Sequence, residues 1–141
     1  MADLNIKGLA ELNAKLSTLP QRVKNNILRG ALRAGGNELV KAAKANVPVR
    51  TGALKYSIKV SPRKGNVNMV AVAVQAGVLT IAKRKKTGAL QDAFYARFVE
   101  YGTAHSRAKP FMRPAAESGS QAAIDAMAAY VADRLEVEAA K

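Results

Sequence analysis

The 141-residue chain has no Cys and no Trp, one His, and only 5% aromatic residues. Without Cys there is no disulfide frame and no thiolate chemistry, and the redox state of the compartment is unconstrained. The single His105 sits in a polar stretch with one carboxylate, Glu100, five residues before it. Structural zinc takes four ligands and catalytic zinc usually three, so no metal or cofactor is expected. Any Ser-His-acid triad would have to use His105, and no Ser lies in a nucleophile motif. No run approaches the roughly 20 apolar residues of a membrane span. The opening MADLNIKGLAELN lacks the basic-then-apolar order of a signal peptide, so a cytoplasmic origin is expected. Gly52, Gly65, Gly88 and Gly102 read as turn glycines, and none belongs to a GxGxxG or GxxxxGK[ST] phosphate loop. The chain is therefore expected not to be an enzyme.

Acidic residues are also scarce, 10 against 23 Lys and Arg, for a net charge of +13. The imbalance is uneven. Residues 1–112 carry 20 basic and 5 acidic side chains, whereas residues 113–141 carry 3 and 5. A basic body suits a polyanion such as nucleic acid. The acidic tail suits a basic neighbour, including another copy of the body. The same charge can also simply keep an Ala-rich chain soluble.

The length fits one domain over 1–141. Leu4, Ile6, Leu9, Leu12 and Leu16 predict a helical segment within 1–19, ended by Leu19-Pro20. From 20 to 47 an apolar stripe of helical period, Val23 to Ala43, predicts one long helix. Gly35-Gly36 interrupts it at roughly 1 kcal/mol per Gly relative to Ala, which close packing against a sheet or partner would offset. Tyr56, Ile58 and Val60 alternate with polar residues and predict a strand that Pro62 ends. Val70, Val72 and Val74 predict a second strand, giving a hairpin within 54–81. Lys83-Arg84-Lys85-Lys86 is the densest charge run and predicts a basic loop over 82–91, in contact with DNA, with another subunit or with solvent only.

Residues 94–115, FYARFVEYGTAHSRAKPFMRPA, gather the three Phe, two of four Tyr, the His and two of five Pro. A short aromatic helix is predicted over 92–102, stopped by Gly102. A last helix is predicted over 113–138, with Pro114 in its first turn and Gly119 loosening that end. Tyr95, Phe98, Phe111, Pro110 and Pro114 are expected to fix the angle between these helices. Glu100 is expected to be a structural carboxylate tied to Arg50 or Arg113, because a buried carboxylate needs a partner. The expected fold class is α+β: long N-terminal and C-terminal helices on a small antiparallel sheet, with the short helix between sheet and last helix.

Two motifs occur in order. The first is Pro48-Val49-Arg50-Thr51-Gly52-Ala53-Leu54, continuing to Ser57-Ile58. The second is Tyr95-Ala96-Arg97-Phe98-Val99-Glu100-Tyr101-Gly102-Thr103, followed by Ala108-Lys109-Pro110-Phe111-Met112-Arg113-Pro114-Ala115. Together, over residues 20–135, they resemble the neck or tail-completion proteins of long-tailed bacteriophages, the family typified by gene product ten of phage HK97. The resemblance implies a virion structural protein of the head–tail junction, assembled in the host cytoplasm. It implies a ring between the connector or head-completion protein and the tail terminator or tail tube, formed from subunits that are monomers before assembly. It implies no activity and no cofactor. The competing expectation, from charge alone, is a small basic nucleic-acid-binding protein. Against it, the sequence shows neither a clear recognition helix nor an aromatic strand surface.

Overall fold

The structure, a computed structural model, describes residues 9–48, 52–66, 69–77 and 95–141. It is α+β. Helix α1 spans Leu9–Ser17 and α2 spans Gln21–Asn46. A one-turn helix α3, Ala53–Ser57, leads into strand β1, Lys59–Arg63, which pairs antiparallel with β2, Ala71–Gln75. Among the described residues the short helix α4, Ala96–Tyr101, and the long α5, Met112–Ala139, come last.

The two long helices lie antiparallel, and glycine sets how closely they approach. Gly30 faces Tyr130, Gly35 faces Met127 and Ala123, and Gly119 faces Leu39 and Ala42. Gly119 does not loosen α5. It is buried, and a Cβ there would stand 3.3 Å from both Leu39 Cδ2 and Ala42 Cβ. The consecutive glycines of α2 serve different neighbours. A Cβ on Gly35 would stand 2.7 Å from Met127 Cγ, and one on Gly36 would stand 3.0 Å from Val60 Cγ2 on β1. Successive helical residues point about 100° apart, so one Gly admits the helix and the next admits the sheet.

The core divides along α2. Near its N-terminal half, Leu16, Ile27, Ala31 and Val131 join α1, α2 and the distal part of α5. Near its C-terminal end, Ala43, Val47, Leu54, Ile58, Ala96, Phe111 and Ala115 join α2, α3, α4 and the start of α5. Val74 and Ala76 pack on this second cluster from the sheet.

The sheet differs from expectation at two places. The chain is helical through Ser57, so Leu54, Ser57 and Ile58 turn inward at i, i+3 and i+4 while Tyr56 stays exposed. Ser57 Oγ donates to Leu54 O at 2.6 Å and accepts the Gly77 N–H at 2.9 Å. A buried hydroxyl thus ties the turn of α3 to the end of β2. Pro62 does not end the strand; it lies within β1, opposite Val72. Among the described residues the sheet has two strands, each an edge, where a residue without an N–H is tolerated.

Candidate functional site

Helix α4 spans only Ala96–Tyr101, and its inward face is Ala96 and Glu100, one turn apart. The aromatics point elsewhere: Phe98 is 50% exposed and Tyr101 67%. Phe98 is therefore not a core wedge between the helices. That role falls to Phe111, 1% exposed at the start of α5, with Tyr95 and Val99 half-buried beside it. Gly102 ends α4 with φ 76, its N–H donating to Phe98 O at 2.8 Å. A Cβ at Gly102 would stand 2.7 Å from Ala108 N, so the returning loop requires Gly there.

The loop after α4 is pinned by backbone bonds. Thr103 and Ser106 form an isolated antiparallel bridge, with the Thr103 N–H donating to Ser106 O at 2.9 Å. The Lys109 N–H donates to Val99 O at 2.8 Å. His105 is exposed at the tip of this turn. Among the described residues, no group of three His, Cys, Asp or Glu could hold a metal. No helix among them is long and apolar enough to cross a membrane.

Glu100 faces the start of α5. Its Oε2 accepts the N–H groups of Phe111 at 2.8 Å and Met112 at 3.0 Å, and its Oε1 accepts that of Arg113 at 3.1 Å. The Arg113 guanidinium adds an ion pair, Nε to Oε1 at 3.5 Å, and lies 5.2 Å from the Tyr101 ring centroid. The first turn of a helix leaves N–H groups without partners and carries a partial positive charge. Phe111, the residue flanking α5, has no side-chain oxygen to cap it. Glu100 supplies the acceptor from another element. Burial by itself would push the Glu100 carboxyl up. The N–H bonds from Met112, Phe111 and Arg113, with the Arg113 side chain, outweigh it and hold the carboxyl below its ordinary value.

A cleft of about 580 Å³ opens beside α4. Pro48, Gly52 and Leu54 line one side, and Tyr95, Phe98 and Val99 the other. Thr103, Ser106, Arg107 and Lys109 form its polar rim. The two sequence motifs, whose lining residues Leu54 and Tyr95 lie 41 positions apart, thus share one space. Pro110 is exposed at the approach to α5, and Pro114 lies within its first turn. Arg113 pairs with Glu100. Arg50 and Thr51, and the run Lys83, Arg84, Lys85 and Lys86, lie outside the described residues. Sequence reasoning places Ser57 and Lys109 only within the motifs and does not single out Arg107. The missing cap at Phe111-Met112 was a readable signal that some other carboxylate or hydroxyl must meet the helix start.

Comparison with known proteins agrees with the ordered motifs. A family described as "Bacteriophage HK97-gp10, putative tail-component" matches residues 10–102. The match takes in α1 to α4 and both flanks of the cleft up to Gly102, but stops short of Pro110–Ala115 and α5. No curated protein and no solved structure matches the chain. With the match covering about two thirds of its length, the chain belongs to the HK97 gp10-like family of bacteriophage tail components.

Proposed function

We propose that this protein is a structural part of the phage virion at the head–tail junction, a neck or tail-completion protein. It acts by assembling into a ring between the connector and the tail tube, and not by catalysis. Its partners are the connector or head-completion protein on one side and the tail terminator or tail tube on the other. The subunit is a monomer until those partners template the ring. The Lys83–Lys86 run suits contact with packaged DNA or a neighbouring ring.

One observation carries this reading. Both family motifs converge on an open, largely apolar cleft with Phe98 exposed on its wall. An apolar hollow with a polar rim, shared by both motifs, suits the seat of a partner protein. Glu100, on the helix beside the cleft, is used to fix α5, and among the described residues no His, Asp or Glu lines the cleft. The test is co-expression with the neighbouring phage genes, followed by native mass spectrometry and electron microscopy. A ring, or a complex with connector or tail proteins, is expected. A protein that stays monomeric with those partners and instead binds free DNA, with affinity falling steeply in salt, would overturn the reading.

A further inference from the structure

The two long helices present different outer faces. The exposed charges of α5 mix signs: Glu117, Asp125, Asp133 and Glu136 stand beside Arg113 and Arg134. The exposed residues of α2 are Arg, Lys, Asn or Gln, with Ala45 the one exception. The single acid of α2, Glu38, is paired with Lys41 at 3.0 Å. The side chains of Arg22, Arg29 and Arg33 are exposed and make no ion pair or hydrogen bond among the described residues. A face that served only solubility would mix its signs, as that of α5 does.

This arrangement works against the helix that carries it. Arg29 and Arg33 are four residues apart, and like charges at that spacing repel. Arg22 and Lys24 lie in the first turn, where the helix dipole disfavours cations and no acid balances them. An anionic partner relieves both conflicts. The arginines also share one side. Arg29 and Arg22 precede Gly36 by 7 and 14 residues, close to two and four turns, and Arg33 precedes it by three. Gly36 faces Val60 of β1. Strand β1 runs back along α2, since Ile58 shares the cluster of Ala43 and Val47 while Val60 meets Gly36. The far end of β1 thus carries the exposed Arg63 and Lys64 toward Arg33 and Arg29. Neither strand contains an acid.

We propose that this face, Arg22, Arg29 and Arg33 with Arg63 and Lys64, binds the phosphate backbone of duplex DNA. Cationic and amide side chains are the groups that contact phosphates. Protein interfaces are anchored by apolar or aromatic side chains, and α2 exposes none beyond Ala45. Single strands are held by stacking on aromatic rings, and α2, β1 and β2 contain no aromatic residue. Arg22 to Arg33 spans roughly 17 Å of helix, and a duplex presents about ten phosphate charges in that length. The contact therefore needs no sequence register. The inference goes beyond the ring reading. It concerns the face of one subunit, it adds DNA contact to assembly without replacing it, and it does not need the Lys83–Lys86 run.

The test compares two charge-matched double variants of the full chain. Arg29→Gln with Arg33→Gln removes two charges from the face. Lys55→Gln with Arg97→Gln removes two exposed charges from α3 and α4. Binding of a fluorescent duplex DNA is followed by anisotropy across a salt series. Two phosphate contacts contribute about 2 to the slope of log K against log salt. The Arg29 and Arg33 variant is expected to bind more weakly and to lose about that much slope, while the Lys55 and Arg97 variant binds like wild type. The former should also melt no lower than wild type, because a like-charge repulsion is gone and Gln suits a helix about as well as Arg. Equal weakening by both variants would reduce the effect to net charge, and unchanged binding without Arg29 and Arg33 would put the contact elsewhere; either would overturn the inference. So would polyglutamate binding as tightly as DNA, which would make an acidic protein the partner. A neck ring whose DNA affinity ignores Arg29 and Arg33 would leave the function standing and refute the face. Selective loss of DNA binding in a protein that forms no ring would do the reverse.

Discussion

Glu100 Oε2 accepts the backbone N–H of Phe111 at 2.8 Å, so the short helix α4 supplies the cap for the long helix α5. The same carboxylate takes the next two N–H groups, of Met112 and Arg113. A 28-residue helix is thereby oriented by one side chain from a six-residue one. Glu100→Ala leaves these donors without their acceptor. Bonds to a charged group are worth about 1.5–3 kcal/mol, and loss of a cap up to about 2. A loss of about 2–3 kcal/mol in urea unfolding is expected for Glu100→Ala. Glu100→Gln keeps an acceptor oxygen and costs about half as much. A change below about 0.5 kcal/mol in both variants would show that α5 is oriented by packing alone.

The same contact has a pH signature. The folded-state carboxyl is held below its ordinary value near 4.5, so its stabilisation is present above that pH. It is lost as pH falls through the lower, folded value. Melting temperatures of wild type and Glu100→Gln should therefore differ most at neutral pH and converge under acid. A gap that stays constant from pH 7 to pH 3 would contradict the assignment.

Phe111 and Phe98 are predicted to part company. Phe111 is 1% exposed within the cluster of α2, α3 and α4, and Phe111→Ala should cost about 3–5 kcal/mol. Phe98→Ala removes a half-exposed ring and should change stability far less, by under about 1 kcal/mol, while impairing assembly with the phage partners. Equal destabilisation by the two substitutions would place Phe98 back in the core.

Gly35→Ala tests the close approach of α2 and α5. Alanine favours a helix by roughly 1 kcal/mol over glycine. The new Cβ would stand 2.7 Å from Met127 Cγ and 3.0 Å from Ala123 O. Met127 can rotate away, but a backbone oxygen cannot without shifting α5. Overpacking costs about 1–3 kcal/mol, so a net loss of stability is expected on thermal unfolding. A stabilised variant would mean the helices separate freely there.

Much of this fold is legible in the residues because its long elements carry redundant signals. The stripe from Val23 to Ala43 repeats over about six turns, and no single residue decides it. Short elements lack that redundancy. Tyr56, Ile58 and Val60 alternate like a strand, yet Leu54, Ser57 and Ile58 fit a helical turn equally well, and packing against α2 and Phe111 chooses the turn. Glu100 and Arg113 are legible as partners because a carboxylate among aromatics needs one. The three N–H groups are not, since backbone donors leave no mark in side-chain identity. Gly119 in isolation reads as a weak point, and only its placement opposite Leu39 and Ala42 makes it a contact. The cleft joins Leu54 to Val99, a pairing that no local pattern encodes.

The head–tail junction is the centre of this account, and cryo-electron microscopy of purified virions tests it most directly. The account predicts a ring of this chain between connector and tail tube. In that ring each subunit should keep α2 and α5 antiparallel, as their glycine contacts hold them here. Finding the chain elsewhere in the virion, or absent from it, would contradict the account.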